Sequence, residues 1–365
     1  MKKNLLFIVL AVTLLACNAP KQTYRVSGTI AQMKEGSMLV LAFYDRNSVD
    51  TICRVAISEG KFNFQGEMKY PRQVQLVLEG RNDRMTVFLE GGGDFKITWS
   101  GKERKIEGGV EQAVLGQLQM LDGEIRTRQR AIQLEYKKAE SENDTQKVDS
   151  LQSLIKEEEI RERKEVHDFI RSHSSSYAIG FYMREFIHFT PLEELKARYA
   201  LLDETIKVST YGQEINYYIT RMDAIAIGRI APDFTIKTPE GAPISLHGIQ
   251  GKLKLLDFWA SWCAPCRWEN KHVLEIYKEY HSKGLEVFSV SLDRDKEAWI
   301  KAIADDGLIW AHGSDLIGYW KSLPAELYVV ESVPQTVLLD ENNRIIARNV
   351  KGDKLREMVA ERLLK

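Results

Sequence analysis

Two cysteines three positions apart carry the clearest chemistry in this 365-residue sequence. Cys263 and Cys266 stand where an apolar, strand-like run gives way to a helical pattern. At the first turn of a helix the two sulfurs lie close enough to bond, so the pair can switch between dithiol and disulfide. The unpaired amides and the dipole at a helix N-terminus favour a thiolate on Cys263. The pattern predicts that Cys263 attacks a disulfide and that Cys266, partly buried one turn later, resolves the mixed disulfide.

The residues around the pair indicate how it is tuned. Ala264 and Pro265 form the redox loop, and Pro265 should affect the redox potential because it removes an amide donor and fixes the backbone. Asp257 lies in the apolar run Leu255–Trp259, six residues before the first cysteine. A carboxyl buried there would hold its proton tightly, and we expect it to exchange a proton with Cys266. The alternative is a capped or solvated aspartate at the end of a strand.

Metal and nucleotide chemistry fit the sequence less well. A zinc site needs a second pair of ligands, but only Cys17 and Cys53 remain, and no histidine has a suitable spacing within the motif. Cys53 is predicted to be a buried structural thiol. Gly91–Gly93 lacks the strand-to-helix setting of a phosphate loop. We therefore expect no metal and no cofactor beyond the cysteine pair, with an inert structural disulfide as the alternative.

The sequence divides into three zones of different composition, and the motif lies in the third. Residues 24–107 contain short strand-like runs separated by glycines, which predict an all-β sandwich or small barrel. Residues 111–227 are helical and highly charged, and a turn at 141–144 indicates a helical hairpin. Charges of both signs in this region indicate a solvated helix face, and a homodimer through a coiled coil is the alternative. Residues 228–365 alternate strand and helix, including a buried strand at Leu253–Trp259, which predicts an α/β sheet with helices on both faces.

The N-terminus has the pattern of an export signal. Two lysines precede an apolar run, Leu5–Ala16, that is too short to span a bilayer comfortably, so residues 1–16 are predicted to be a signal peptide. Leu14–Cys17 resembles the lipobox of bacterial lipoproteins. The resemblance implies that Cys17 is lipidated and becomes the mature first residue, in the cell envelope on the periplasmic side. Ordinary cleavage nearby is the alternative.

Leu255–Arg267 resembles the active-site segment of the thioredoxin superfamily. Ala231–Phe234 and Cys266–Glu269 are similar to the exported TlpA/ResA-like branch, and Tyr328–Pro334 matches the segment that ends in the family's cis-proline. The resemblance covers residues 228–365 and implies a thioredoxin-like C-terminal domain. The branch carries an insertion that we expect to be helical here, from Trp299 through Trp320.

The resemblance also implies how substrate binds. A cis bond between Val333 and Pro334 would expose the backbone of Val333, so that an extended substrate segment can pair with it as an added strand. Trp262, beside the first cysteine, is the third predicted substrate contact. Residues 49–66 resemble a β domain that precedes thioredoxin modules in some exported bacterial proteins.

The implied function is a lipid-anchored thiol-disulfide oxidoreductase that acts on extracytoplasmic protein thiols and disulfides. We expect the reducing direction, with a membrane electron donor that recharges the pair. One alternative is a lipoprotein whose β domain binds a glycan or a partner, with the redox module as accessory. A thiol peroxidase of the peroxiredoxin type is weaker, because Ala260 stands where that family has Thr or Ser. The net charge of −1 argues against a nucleic-acid binder.

Overall fold

The computed structural model describes residues 22–31, 33–34, 36–45, 48–81, 83–101, 103–319 and 321–364. The predicted signal peptide 1–16, Cys17 and Trp320 lie outside this part of the chain. The chain divides into two compact units. One consists of the residues up to Thr190 with Ala197–Gln213, and the other of Pro191–Lys196 with Glu214–Lys365. The predicted domain limits near 107 and 227 stay predictions. Within the described ranges, no helix is both long and apolar enough to cross a bilayer.

The first unit begins with eight strands. They are β1 (Gln22–Ile30), β2 (Met38–Asp45), β3 (Ser48–Ala56), β4 (Lys61–Met68), β5 (Arg72–Leu78), β6 (Arg84–Leu89), β7 (Asp94–Ser100) and β8 (Glu103–Glu107). One sheet has the order β4-β1-β7-β8 and the other β3-β2-β5-β6. In β7, Phe95, Ile97 and Trp99 are buried while the residues between them are exposed, as expected for a strand with one face on a core. Both sheets contribute to one apolar core, so the β domain is a sandwich.

A long helical hairpin follows the sandwich. It consists of α1 (Val110–Ser141) and α2 (Thr145–Ser172), with Asp144 as the N-cap of α2, and it confirms the predicted turn. Arg128 on α1 joins the two helices, because its guanidinium donates to Glu158 and Glu165 on α2 at 2.6 Å each. Four more helices complete the region: α3 (Tyr177–Glu185), α4 (Leu192–Leu201), α5 (Glu204–Lys207) and α6 (Thr210–Ala224). The homodimer through this hairpin stays a prediction.

The second unit is built on a seven-stranded sheet. Its strands are β9 (Thr235–Lys237), β10 (Pro243–Ser245), β11 (Leu253–Trp259), β12 (Leu285–Ser291), β13 (Ala311–Ser314), β14 (Gln335–Asp340) and β15 (Ile345–Arg348), in the order β10-β9-β13-β12-β11-β14-β15. Its helices are α7 (Ala264–Tyr280), α8 (Lys296–Asp306), α9 (Leu323–Leu327) and α10 (Gly352–Leu363). β11 to β13 are parallel and β14 is antiparallel to β11. The predicted thioredoxin-like α/β architecture is confirmed.

The central strand β11 separates two cores. Successive side chains of a strand point to opposite faces of the sheet. Leu255 and Trp259 pack with Cys266 and the other buried residues of α7. Leu256 and Phe258 pack on the opposite face. Asp257 lies between Leu255 and Trp259 in the sequence, so its side chain belongs to the face that α7 covers.

The prediction that the insertion from Trp299 through Trp320 is helical is wrong for its second half. α8 ends at Asp306, because the next residue, Gly307, has the left-handed conformation (φ 64°) that commonly stops a helix. The chain then forms β13, which pairs with β12 in parallel. This strand is only four residues long and includes His312 and Ser314, so it lacks the apolar alternation that predicts a strand.

Candidate active site

The two cysteines of the redox pair lie at the start of α7. Cys263 is the N-cap residue, and its Sγ accepts a hydrogen bond from the amide of Cys266 at 3.2 Å. Cys263 and Cys266 are joined by a disulfide, with their Cα atoms 5.2 Å apart. Pro265 stands in the first turn, where an amide hydrogen would have no partner within the helix, so proline is tolerated. The position of Cys263 at the positive end of the helix is the one predicted from the sequence.

A buried carboxylate fixes the loop that leads into the pair. Asp293, only 1% exposed, follows β12 and accepts from the amide of Ser261 at 2.9 Å and from the Ser261 hydroxyl at 2.6 Å. The hydroxyl of Ser291 donates to the same carboxylate at 2.7 Å. Three hydrogen bonds to one carboxylate therefore tie the segment before Cys263 to the end of the neighbouring strand. The sequence reasoning missed this contact, because it joins residues more than 30 positions apart.

The loop before β14 lies next to Cys263. The bond between Val333 and Pro334 is cis, as the resemblance implies. The carbonyl oxygen of Val333 lies 3.7 Å from the Sγ of Cys263. Both residues and Trp262 line a groove of about 1110 Å³, and Trp262 is 62% exposed. Cys266 is 1% exposed and does not line this groove. The structure thus brings Cys263, Trp262 and Val333 to one surface and places Cys266 behind it.

Asp257 is fully buried beneath α7. Burial raises the pKa of this carboxyl from 3.8 to about 7, because a charged carboxylate is poorly solvated in an apolar core. A hydrogen bond from the hydroxyl of Ser289, 3.1 Å from Oδ2, lowers the pKa and is the largest opposing effect. The charge of Glu269 raises the pKa further, and Lys351 lowers it. The carboxyl therefore changes its protonation close to neutral pH, as a proton-exchanging group must.

Glu269 is a second buried carboxyl that the sequence reasoning did not single out. It is 5% exposed, and its Oε1 accepts from the amide of Gly352 at 2.8 Å, at the start of α10. A signal was present in the sequence, because residues three apart on a helix share a face. Glu269 follows Cys266 by three positions and so lies on the same buried side of α7.

A chain of hydrogen bonds continues from Asp257 across the sheet. The Ser289 hydroxyl that donates to Asp257 accepts in turn from the indole Nε1 of Trp310 at 2.9 Å. Trp310 stacks on His312, whose two ring nitrogens have no hydrogen-bond partner among the described residues. Burial lowers the pKa of His312 to about 4, so its ring is neutral at pH 7. No sequence motif pointed to these residues.

The third described cysteine lies far from this chemistry in the sequence. Cys53 is on β3 in the first unit, is free, and is partly buried rather than fully buried as predicted. Burial raises the pKa of its thiol, which makes it less reactive. In the described part of the chain, no cluster of three His, Cys, Asp or Glu side chains could hold a metal ion.

Comparison with known proteins places this site in a family. Residues 227–349 match the AhpC/TSA family, and residues 24–115 match a domain of unknown function (DUF4369). The thiol-disulfide oxidoreductase ResA of Bacillus thuringiensis subsp. konkukian is 30% identical over 148 residues, which are 40% of this chain and 83% of that protein. The chain belongs to the thiol-disulfide oxidoreductase family of ResA.

The chain is similar to two further proteins. ResA of Geobacillus thermodenitrificans is 30% identical over 128 residues, covering 35% of this chain and 71% of that protein. The structure of a thiol-disulfide oxidoreductase from Bacteroides fragilis is 33% identical and covers 36% of this chain and 98% of its own, with a TM-score of 0.34. With the matched residues 227–349, the family relationship concerns the second unit, and the enzyme class is that of a thiol-disulfide oxidoreductase.

Proposed function

We propose that the protein reduces disulfides of extracytoplasmic proteins through Cys263 and Cys266. The observation that carries this proposal is the position of Cys263, which lies at the amide end of α7 and, although only 5% exposed, lines an open groove that Cys266 does not reach. In the dithiol form, the Cys263 thiolate attacks one sulfur of the substrate disulfide, and the other sulfur leaves as a thiolate that takes up a proton. Cys266 then attacks Sγ of Cys263 and releases the second substrate thiol. The substrate gains two electrons, and the pair becomes the disulfide.

Asp257 is proposed to serve the second step. Cys266 must lose its proton before it can attack, and it must regain one when the pair is reduced again. Asp257 is buried on the face that packs on Cys266, and its pKa of about 7 lets it accept and return that proton near neutral pH. No metal or nucleotide takes part in this scheme, because the two sulfurs carry the electrons.

The groove is proposed to bind the substrate as an extended segment. The backbone of Val333, next to Pro334, can pair with such a segment by main-chain hydrogen bonds close to Sγ of Cys263. Trp262 offers an exposed aromatic surface beside the attacking sulfur. Main-chain pairing recognises an extended shape more than a particular sequence, which suits a reductase of several proteins.

The reducing direction is supported by the charge around the buried side of the pair. DsbA-type oxidants gain their potential of about −120 mV from a strongly stabilised reduced form, whereas thioredoxin lies near about −270 mV. Here the apolar surroundings beneath α7 and the charge of Glu269 disfavour a carboxylate on Asp257, and the same two effects oppose a thiolate on Cys266. We expect a potential close to that of thioredoxin, measured by equilibration with glutathione redox buffers. A value near that of DsbA would contradict the reducing direction.

The proposed location is the outer side of a membrane, with the mature chain tethered through lipid on Cys17. Residues 1–16 supply the export pattern, and a membrane reductase is the proposed electron donor. The test is mass spectrometry of the mature protein from membranes. We expect an acylated N-terminal Cys17, and a Cys17→Ser variant released from the membrane fraction. An unprocessed N-terminus would exclude the anchor.

Insulin reduction by the full-length protein in dithiothreitol tests the activity itself. Cys263→Ser should abolish the protein-catalysed rate because it removes the nucleophile. Cys53→Ser is the matched control, since it changes a free cysteine outside the pair and should leave the rate unchanged. Full activity in Cys263→Ser, or loss of activity in Cys53→Ser alone, would overturn the assignment.

A further inference from the structure

Four polar side chains form a buried row across the sheet beneath α7. Strand register places Thr336 on β14 beside Asp257 on β11, Asp257 beside Ser289 on β12, and Ser289 beside His312 on β13. None of the four is more than 5% exposed. A buried polar group is costly unless it is paired, so the partners in this row decide what each group can do.

Hydrogen-bond donors and acceptors fix the direction of the bonds within the row. An indole N–H can only donate, so at 2.9 Å the oxygen of Ser289 must accept from Trp310. A serine hydroxyl has one hydrogen, and the remaining partner is Oδ2 of Asp257 at 3.1 Å. The chain therefore runs from Trp310 through Ser289 to Asp257. Among the described residues, Ser289 makes the only hydrogen bond to this carboxyl.

The geometry points to Ser289 as a positioning residue that holds Oδ2 of Asp257 as an acceptor, so that the proton exchanged with Cys266 is carried on Oδ1. A proton on Oδ2 would face the hydrogen of the Ser289 hydroxyl. If that hydroxyl turned to accept the Oδ2 proton, its own hydrogen would lose the only acceptor that the described residues offer it. The inference rests on the proton-exchange role that the proposed function gives to Asp257.

The charged and titratable groups around Asp257 come from several elements. Glu269 on α7 and Lys351 before α10 act in opposite directions on its pKa, and burial outweighs both. His312 on β13 lies beyond Ser289 and is neutral at pH 7 because burial lowers its pKa to about 4. The hydroxyl of Ser289 is thus the main group that favours the ionised carboxylate against burial.

The test is the titration of the Asp257 carboxyl in the oxidised full-length protein, where the disulfide keeps both cysteines from titrating. The carboxyl carbons of aspartate are isotope-labelled, and Asp257→Asn identifies the resonance by its disappearance. Ser289→Ala should raise the pKa of Asp257 by roughly one pH unit, a tenfold change in its acidity, because a hydrogen bond to the charged form is lost. Trp310→Phe should raise it by less, because it removes only the donor that polarises the hydroxyl.

Thr336→Val is the matched control. Thr336 is a buried hydroxyl on the other side of Asp257, but it donates to the carbonyl of Val350 at 2.7 Å and not to the carboxyl. This variant should leave the pKa of Asp257 unchanged. An unchanged pKa in Ser289→Ala, or an equal rise in Ser289→Ala and Thr336→Val, would overturn the inference.

Reduction kinetics separate this inference from the proposed function. If Ser289→Ala raises the pKa of Asp257, the pH at which the rate of thiol-disulfide exchange increases should rise by the same amount. A raised pKa with an unchanged pH profile would leave Ser289 as the group that positions the carboxyl, but it would remove Asp257 from the exchange reaction and contradict the assignment of the proton to Cys266.

Discussion

The two cysteines of the redox pair lie at the start of α7, but only one of them reaches the groove. Cys263 lines an open groove with Trp262 and Val333, and its Sγ lies close to a backbone amide and a backbone carbonyl. Cys266 packs into the core beneath the helix, on the side where Asp257 and Glu269 are buried. Both cysteines belong to one apolar core and are at most 5% exposed, but only Cys263 lines the groove.

This difference separates two tasks that disulfide exchange requires. Attack on a protein disulfide needs a nucleophile at a surface that the substrate can approach, and Cys263, although only 5% exposed, is the cysteine that lines the groove. Release of the product needs a second thiol that acts only after the mixed disulfide has formed, and burial keeps Cys266 from reacting with other molecules. With the role proposed for Asp257, proton transfer takes place on the buried side, away from the substrate.

Removing Cys266 should have the largest effect on activity. Cys266→Ala should stop turnover completely while Cys263 still attacks, so one substrate molecule should remain covalently held on each protein. Non-reducing electrophoresis and mass spectrometry of the trapped species measure this and identify the substrate. In the converse variant, Cys263→Ala, no adduct should form. Adducts of equal yield in both variants would mean that Cys266 is as accessible as Cys263.

The raised pKa of Asp257 predicts that the free energy of unfolding depends on pH. Asp257 holds its proton more tightly in the folded protein than in the unfolded chain, so its contribution to the free energy of unfolding is present below about pH 4 and is lost as the pH rises through about 7. Asp257→Asn has no such loss. Relative to the wild type, the variant should therefore gain up to about 4 kcal/mol between acid and mildly alkaline pH, because folding raises the pKa of this carboxyl from 3.8 to about 7.

Urea unfolding of the oxidised proteins at about pH 5 and about pH 8 measures about 2.6 kcal/mol of this change, because the loss begins just above the unfolded pKa of 3.8. Glu279→Gln serves as the control, because this residue lies on α7 but on its exposed side, paired with Arg356. Its effect on the free energy of unfolding should be small and nearly independent of pH. A stability difference between Asp257→Asn and the wild type that does not vary with pH would show that the carboxyl is ionised throughout, contrary to its burial.

On the groove side, Asp293 is the group whose loss should cost most stability. Asp293→Ala leaves the amide of Ser261 and the hydroxyl of Ser291 without their buried acceptor, which should lower the free energy of unfolding by about 2–3 kcal/mol. The same change loosens the segment before Cys263 and should slow insulin reduction. Asp305→Ala is the matched control, since Asp305 is exposed and pairs with Lys301 along α8. Its cost should stay within about 0.5 kcal/mol, as for most exposed ion pairs.

The sequence predicted those parts of the site that depend on neighbours in the chain. The Cys263 and Cys266 pair, the helix that starts there and the position of Asp257 within a buried strand all follow from local spacing and apolarity. The cis bond before Pro334 came from the resemblance to a family, since an isolated X-Pro pair is more often trans. The sandwich followed from short strands and turns, but not the pairing of β1 with β7 in parallel.

What the sequence did not predict depends on strand register. Ser289 and Ser291 alternate with apolar residues in β12, and nothing local says that one faces Asp257 and the other faces Asp293. Those partners are set by how β12 pairs with β11, which fixes the neighbours of a side chain only after the sheet has formed. The polar row under α7 is therefore a tertiary feature, and Trp310 joins it from a segment that was expected to be helical.

Replacing Trp262 tests whether the groove surface contacts the substrate. Trp262 is 62% exposed, so Trp262→Ala should change the free energy of unfolding by no more than about 0.5 kcal/mol. It should raise KM for a protein disulfide several-fold and leave the reaction with dithiothreitol unchanged, because in the proposed function the ring contacts the substrate and not the sulfur. Trp268→Ala is a close control. Trp268 is 61% exposed on α7, packs against His272 and does not line the groove, so KM should not change. If Trp262→Ala slowed the reaction with dithiothreitol as much as the reaction with protein, Trp262 would act on Cys263 itself, and the groove would lose its role as the substrate surface.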